Sequence, residues 1–134
     1  MRLPSRLTWD VIALIGLLLV LDTFAQLAFK MGVTHLGEFP TSSFPAVFKY
    51  CANMALNHFV LGGIIALFLA FFTWLTLISK VDLSFAHPMT SLVFVTIPLS
   101  ASWLLHEPLH WSQIIGVILI VLGVFTVSDD GAPD

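Results

Sequence analysis

The chain has 134 residues, of which 58% are hydrophobic and 10% charged, and its net charge is −3. Soluble domains average about 45–50% apolar and about 25% charged residues, so this composition excludes disorder and argues against a soluble globular domain, which could not cover its surface with so few polar groups. Five Lys and Arg exclude a nucleic-acid binder that works by neutralising phosphates, and a single Cys51 neither pairs internally nor builds a cysteine metal cluster. A membrane-embedded chain remains, and at about 20 residues per span it has room for four helices.

The first apolar run, from Trp9 to about Met31, is too long for a signal peptide and lacks a small-residue cleavage site. It reads as a spanning helix with Trp9 as an interfacial anchor. Gly37, Pro40, Ser42, Ser43 and Pro45 then mark a loop, after which 45–57 forms a short amphipathic helix. Val47, Tyr50, Cys51, Met54 and Ala55 share one face of it, and Lys49 and Asn53 another, as in a helix resting at the membrane interface. The second span covers 59–79, the third 83–105 and the fourth 111–127, followed by an acidic tail. Pro88 and Pro98 bend the third span, which neighbouring helices must compensate. The expected fold is an all-α, four-helix membrane bundle forming a single domain over 1–134. Four spans put both termini on one side, and the split of Arg2, Arg6 and Lys80 from Lys49 and Lys30 sets only a slight positive-inside bias.

Asp22 is the residue most informative about function. It lies ~18 Å beyond Asp10 along the helix, well inside a core about 30 Å thick, where an ionisable group normally faces protein or a water-filled cavity. An apolar setting disfavours the charged carboxylate, so such a group can exchange a proton for a cation or a hydrogen-bond donor. The alternative is an Asp that only hydrogen-bonds a neighbouring helix. Gln26 and Lys30 follow at one and two turns on the same face, with Lys30 read as a residue snorkelling from the helix C-terminus or as a ligand. His87 is a candidate proton relay or substrate ligand, or an interfacial residue at a helix start. Thr90 and Ser91 are inter-helix hydrogen-bonders or line the path, and Phe71 and Trp74 are core residues or an aromatic platform. Gly116 and Gly123, seven apart in the fourth span, suit a dimer seam or packing within the chain.

His106-Glu107-Pro108-Leu109-His110 matches the H-E-x-x-H pattern, but zinc chemistry needs both histidines on one unbroken helix, and Pro108 falls between them. No metal or other cofactor is expected, and Glu107 reads as a carboxylate ordering a helix end or loop.

These residues resemble the drug/metabolite transporter superfamily in its small four-span branch. Leu21 to Lys30 is similar to the small multidrug resistance signature, with an acid eight residues before a lysine, although that acid is Asp22 rather than Glu. The multidrug members carry Tyr where His87 stands and Trp where Thr90 stands. Leu83 to Leu92 with Glu107, and Asn57 to Gly62 after the long connection, look closer to the EamA-type proteins and to flippase subunits for aminoarabinose-modified undecaprenyl phosphate. Those subunits share Ala25-Gln26-Leu27 but commonly lack an acid at Asp22.

The resemblance implies a multi-pass inner-membrane transporter, not an enzyme, working by alternating access. It would act as a homodimer, or as a heterodimer with a similar four-span subunit, on an amphipathic or lipid-linked sugar among membrane lipids. Asp22 would hold a proton or an amine, with Gln26, Lys30, His87, Thr90, Ser91, Phe71 and Trp74 around the path and Gly116 and Gly123 at the seam. The alternatives are a proton-coupled exporter of small cations and a non-transporting scaffold subunit.

Overall fold

The computed structural model describes residues 8–129; Arg2, Arg6 and the tail beyond residue 129 lie outside them. The described chain is all-helical, in the order α1 (Trp9–Leu36), α2 (Phe44–Leu56), α3 (His58–Ile78), α4 (Leu83–Thr90), α5 (Val93–Leu105) and α6 (Trp111–Asp129). Three segments are long and apolar enough to cross a membrane: α1, α3, and α4 together with α5. Trp111–Val127 within α6 is apolar but shorter, at the lower limit of spanning length.

Helix α1 runs past the expected end at Met31, because Met31 to Leu36 contains no proline and its one glycine, Gly32, is buried against Val60. It stops where Gly37 takes φ 77°, a conformation glycine adopts without a Cβ penalty. Lys30 therefore sits more than a turn inside the helix, not at its C-terminus as the sequence pattern suggests. Asn57 caps α3, its Oδ1 accepting from the N–H groups of Phe59 (2.9 Å) and Val60 (3.4 Å).

The expected third span is two helices meeting at Ser91 and Leu92. Pro88 brings no N–H, and its ring displaces the carbonyl one turn earlier. The chain tightens beyond it: Leu92 N–H donates to Met89 O at 3.3 Å, Phe94 to Ser91 O at 2.9 Å and Val95 to Leu92 O at 2.9 Å, the closer spacing of a 3₁₀ turn. The Ser91 hydroxyl donates to Pro88 O at 2.5 Å and the Thr90 hydroxyl to His87 O at 3.1 Å, so side chains help satisfy carbonyls at the break.

The tightest seam joins α1 and α3. Ala25, Ala28 and Gly32 are buried on one side, and Gly63, Ala66 and Ala70 on the other. Small residues let helix backbones approach closely, which is how helices associate in lipid without a hydrophobic drive. A Cβ on Gly63 would lie 2.7 Å from Phe29 Cε1 and 3.2 Å from Ala25 O, and one on Gly32 would lie 2.6 Å from Val60 Cγ2. Toward the Trp9 end the seam widens into larger residues, where Val11, Ile15 and Leu18 pack with Leu77, Phe85 and Met89. Helix α2 lies against α1 and α3. Val47, Tyr50 and Met54 are half-buried, whereas Cys51 and Ala55 are exposed, so the inward face is narrower than the sequence pattern suggests. Tyr50 donates to Gly37 O at 3.2 Å and meets Phe39 edge-on, pinning α2 to the end of α1.

Gly63→Val is expected to destabilise the bundle by about 1–3 kcal/mol, the usual cost of overpacking. Gly62→Ala, where the added Cβ has nothing within 4 Å, should stabilise it by about 0.5–1 kcal/mol through helix propensity. Unfolding of the two variants in detergent checks both signs.

Candidate functional site

The residues predicted to share one face of α1 open into two cavities. An α-helix advances 100° per residue, so each four-residue step drifts about 40° around the axis. From Asp22 to Lys30 the drift reaches about 80°. Because α3 is clamped to α1, Asp22 is left beside α3 and α4, while Gln26 and Lys30 turn toward α5 and α6.

The first cavity, of about 560 Å³, is lined by Asp22 from α1, Phe71 and Trp74 from α3, His87 and Thr90 from α4, and Ser91 at the break. Six of the predicted site residues thus meet in one place. Asp22 is half-buried, and among the described residues no side chain or backbone group hydrogen-bonds or ion-pairs with its carboxylate. His87 lies against Trp74, with ring centroids 5.1 Å apart and planes at 50°. The histidine ring therefore helps build the aromatic wall facing Asp22. The inter-helix hydrogen bond that might have engaged Asp22 is made next door instead: Thr23 Oγ1 and Thr96 Oγ1 are 2.7 Å apart, joining α1 to α5. Thr96 gives its one hydroxyl proton to Val93 O at 3.1 Å, so Thr23 is the donor to Thr96. Asp22 is left available to a ligand.

The second cavity, of about 800 Å³, holds Gln26, Lys30, Thr34, Glu107 and Gln113, with apolar walls from α5 and α6. Phe94 lines both cavities. Lys30 does not simply snorkel to water: its ammonium pairs with Glu107, in the turn joining α5 to α6. The sequence marks Glu107 as a carboxylate ordering a loop and contains only one other glutamate, Glu38. The pairing itself is long-range and has no local signature.

The turn is shaped by His106, which ends α5 at φ 54° in the left-handed region, and by Gln113, whose side chain accepts from His110 N–H at 2.9 Å in half of a capping box. Residues 106–110 are not helical, so His106 and His110 lack the shared helical face that a zinc protease motif requires. Gly116 lines the second cavity. A Cβ on either Gly116 or Gly123 would meet nothing within 4 Å, so neither serves close packing within the described chain.

Residues 5–129 match the EamA-like transporter family. A protein of Proteus mirabilis (strain HI4320) named probable 4-amino-4-deoxy-L-arabinose-phosphoundecaprenol flippase subunit ArnF is 33% identical over 113 residues, covering 81% of this chain and 84% of its own length. Proteins named probable subunit ArnE of the same flippase are 41% identical over 63 residues in Erwinia tasmaniensis and 38% over 71 residues in Sodalis glossinidius (strain morsitans). Those alignments cover 47% and 53% of this chain and 58% and 59% of the relatives, so the chain spans little more than half of those two proteins. No solved structure matches the chain.

Because the Thr23–Thr96 contact ties α1 to α5, a double-mutant cycle with Thr23→Val and Thr96→Val should give a coupling energy of about 0.6 kcal/mol, the average for such bonds in membranes. Equilibrium unfolding of the four proteins in mixed micelles measures it, and purely additive losses would show the two hydroxyls to be independent.

Proposed function

This chain belongs to the EamA-like transporter family, and we propose that it is one subunit of an inner-membrane flippase for an aminosugar carried on a polyprenyl phosphate. The observation that carries the reading is an intramembrane carboxylate, Asp22, unpaired among the described residues, in a cavity whose walls are aliphatic and aromatic with His87, Thr90 and Ser91 as the other polar groups, in a chain similar along most of its length to a named flippase subunit. A carboxylate in an apolar setting is costly unless it meets a proton or a cation. A sugar amine supplies that cation, and its ring offers hydroxyls to His87, Thr90 and Ser91.

The flippase reading requires a second subunit. None of the α6 residues whose burial is described is buried, and Ile115, Ile118, Leu122 and Phe125 are each more than half exposed. A similar four-span subunit, or a second copy of this chain, set against α6 through Gly116 and Gly123 would close the groove on its open side. Alternating access then consists of the two subunits rocking about that seam, with the break at Ser91–Leu92 giving α4 and α5 separate freedom to move. The chain acts in this reading as a carrier and performs no covalent chemistry. A small-cation exporter is the second reading, favoured by Phe71 and Trp74 beside Asp22, since ring faces attract cations.

The discriminating variant is Asp22→Asn, which keeps the shape and removes the charge. In proteoliposomes containing the assembled subunits, it should slow transbilayer movement of the aminosugar lipid by at least about tenfold, the scale of one charge-assisted hydrogen bond. N-acetylation of the sugar amine should impose a similar loss on the unmodified protein and make it insensitive to Asp22→Asn. Movement of the aminosugar lipid at the original rate by Asp22→Asn protein would rule the mechanism out. Proton-coupled movement of a small organic cation, with no movement of the lipid, would establish the exporter.

A further inference from the structure

The second cavity contains a charge pair that binding of the amine leaves unexplained. Lys30 and Glu107 stay 47% and 42% exposed while paired, so a ligand in the cavity reaches both. Neither partner is locked in by packing, so an incoming anion can take the place of Glu107 at the ammonium. Gln26, Thr34 and Gln113 add neutral polar groups around the ammonium, and Val33, Ile97 and Val117 supply an apolar wall. Among the described residues the cavity contains one cation and no anion besides its partner. Such a site accepts one negative charge on an otherwise apolar ligand by exchanging it for Glu107.

Position along α1 sharpens this. Lys30 lies eight residues beyond Asp22, ~12 Å along the axis, and the two cavities adjoin at Phe94. A cation and an anion thus stand on neighbouring stretches of one helix, each in a cavity that Phe94 also lines. We infer that Lys30 is the phosphate-binding residue of the substrate site and that Glu107 is a latch the phosphate displaces, freeing the α5–α6 turn from α1. The inference rests on the flippase reading for its choice of a lipid phosphate, and the assay below tests it without using the amine.

The full chain is placed in phosphatidylcholine nanodiscs and titrated with undecaprenyl phosphate, which carries the phosphate and tail but no amine. Lys30→Gln should weaken binding at least about tenfold, and Lys30→Arg should retain it, showing that the site still folds. Glu107→Gln should tighten binding about threefold or more, because the internal competitor is gone. Spin labels at Val33→Cys and Leu109→Cys, in a Cys51→Ser background, should move apart when the lipid binds. Unchanged affinity in Lys30→Gln, or weaker binding in Glu107→Gln, would overturn the inference. Inorganic phosphate binding as tightly as the lipid would overturn the lipid-headgroup assignment, and equal competition by phosphatidylglycerol would overturn selectivity for the polyprenyl phosphate. Binding with the predicted Lys30 and Glu107 dependence, but no movement of the aminosugar lipid, would defeat the flippase function and leave the phosphate site standing.

Discussion

Glycine and alanine at the α1–α3 seam bring two helices close enough that Gly32 and Gly63 have no room for even one more carbon, and the placement of the other elements follows from that contact. In lipid, apolar surface gains nothing by leaving its solvent, so association depends on close van der Waals contact. Once the seam is fixed, the azimuth of every other residue on α1 is fixed with it. Thr23 faces α5 and bonds Thr96, Asp22 borders α3, and Gln26 and Lys30 look toward α5 and α6. The cavities are the space left when a straight helix is clamped along a line that its own side-chain rows do not follow.

The same mismatch explains why the candidate site divides. Residues four apart on a helix are treated as neighbours, yet the drift of about 40° over one step already places Gln26 in the second cavity. Over two steps it is about 80°, enough to carry Lys30 past Phe94 into a separate space. Phe94, which borders both, stands in the first turn of α5, which begins afresh at Val93 after the break that follows Pro88. A continuous helix would have aimed its side chains elsewhere. The prolines therefore act on the site through orientation, and Pro98, itself in the wall of the second cavity, acts directly.

Much of this organisation was legible in the sequence, and the limits have physical causes. The apolar runs give all-helical spans, because backbone groups in lipid must be satisfied within the segment. The isolation of Asp22 in an apolar stretch marks it without any knowledge of its neighbours. The end of α1 was misplaced because loop composition after Gly37 outweighed a helix-compatible stretch before it. The glycines that drew attention, Gly116 and Gly123, have open space around them, whereas Gly32 and Gly63 form the seam. A small residue signals close approach only when its partner is known, and the partner lies on another helix. Lys30 and Glu107 pose the same difficulty, since neither residue carries a local sign of the other.

The chain's scarce charge is distributed so that each intramembrane group has a different relation to its surroundings. Lys30 has an internal partner half-open to water, and Asp22 has none among the described residues. Eight residues apart on one helix, ~12 Å along its axis, Asp22 and Lys30 are too far apart to pair with each other, and Glu107 from the far turn satisfies Lys30 alone. The fold thereby keeps one anion unpaired among the described residues and one cation paired across the bundle, in two cavities that share Phe94. An acid at that depth, beside aromatic rings and without a partner among the described residues, is costly on its own, and in the function proposed above the ligand's positive charge offsets that cost.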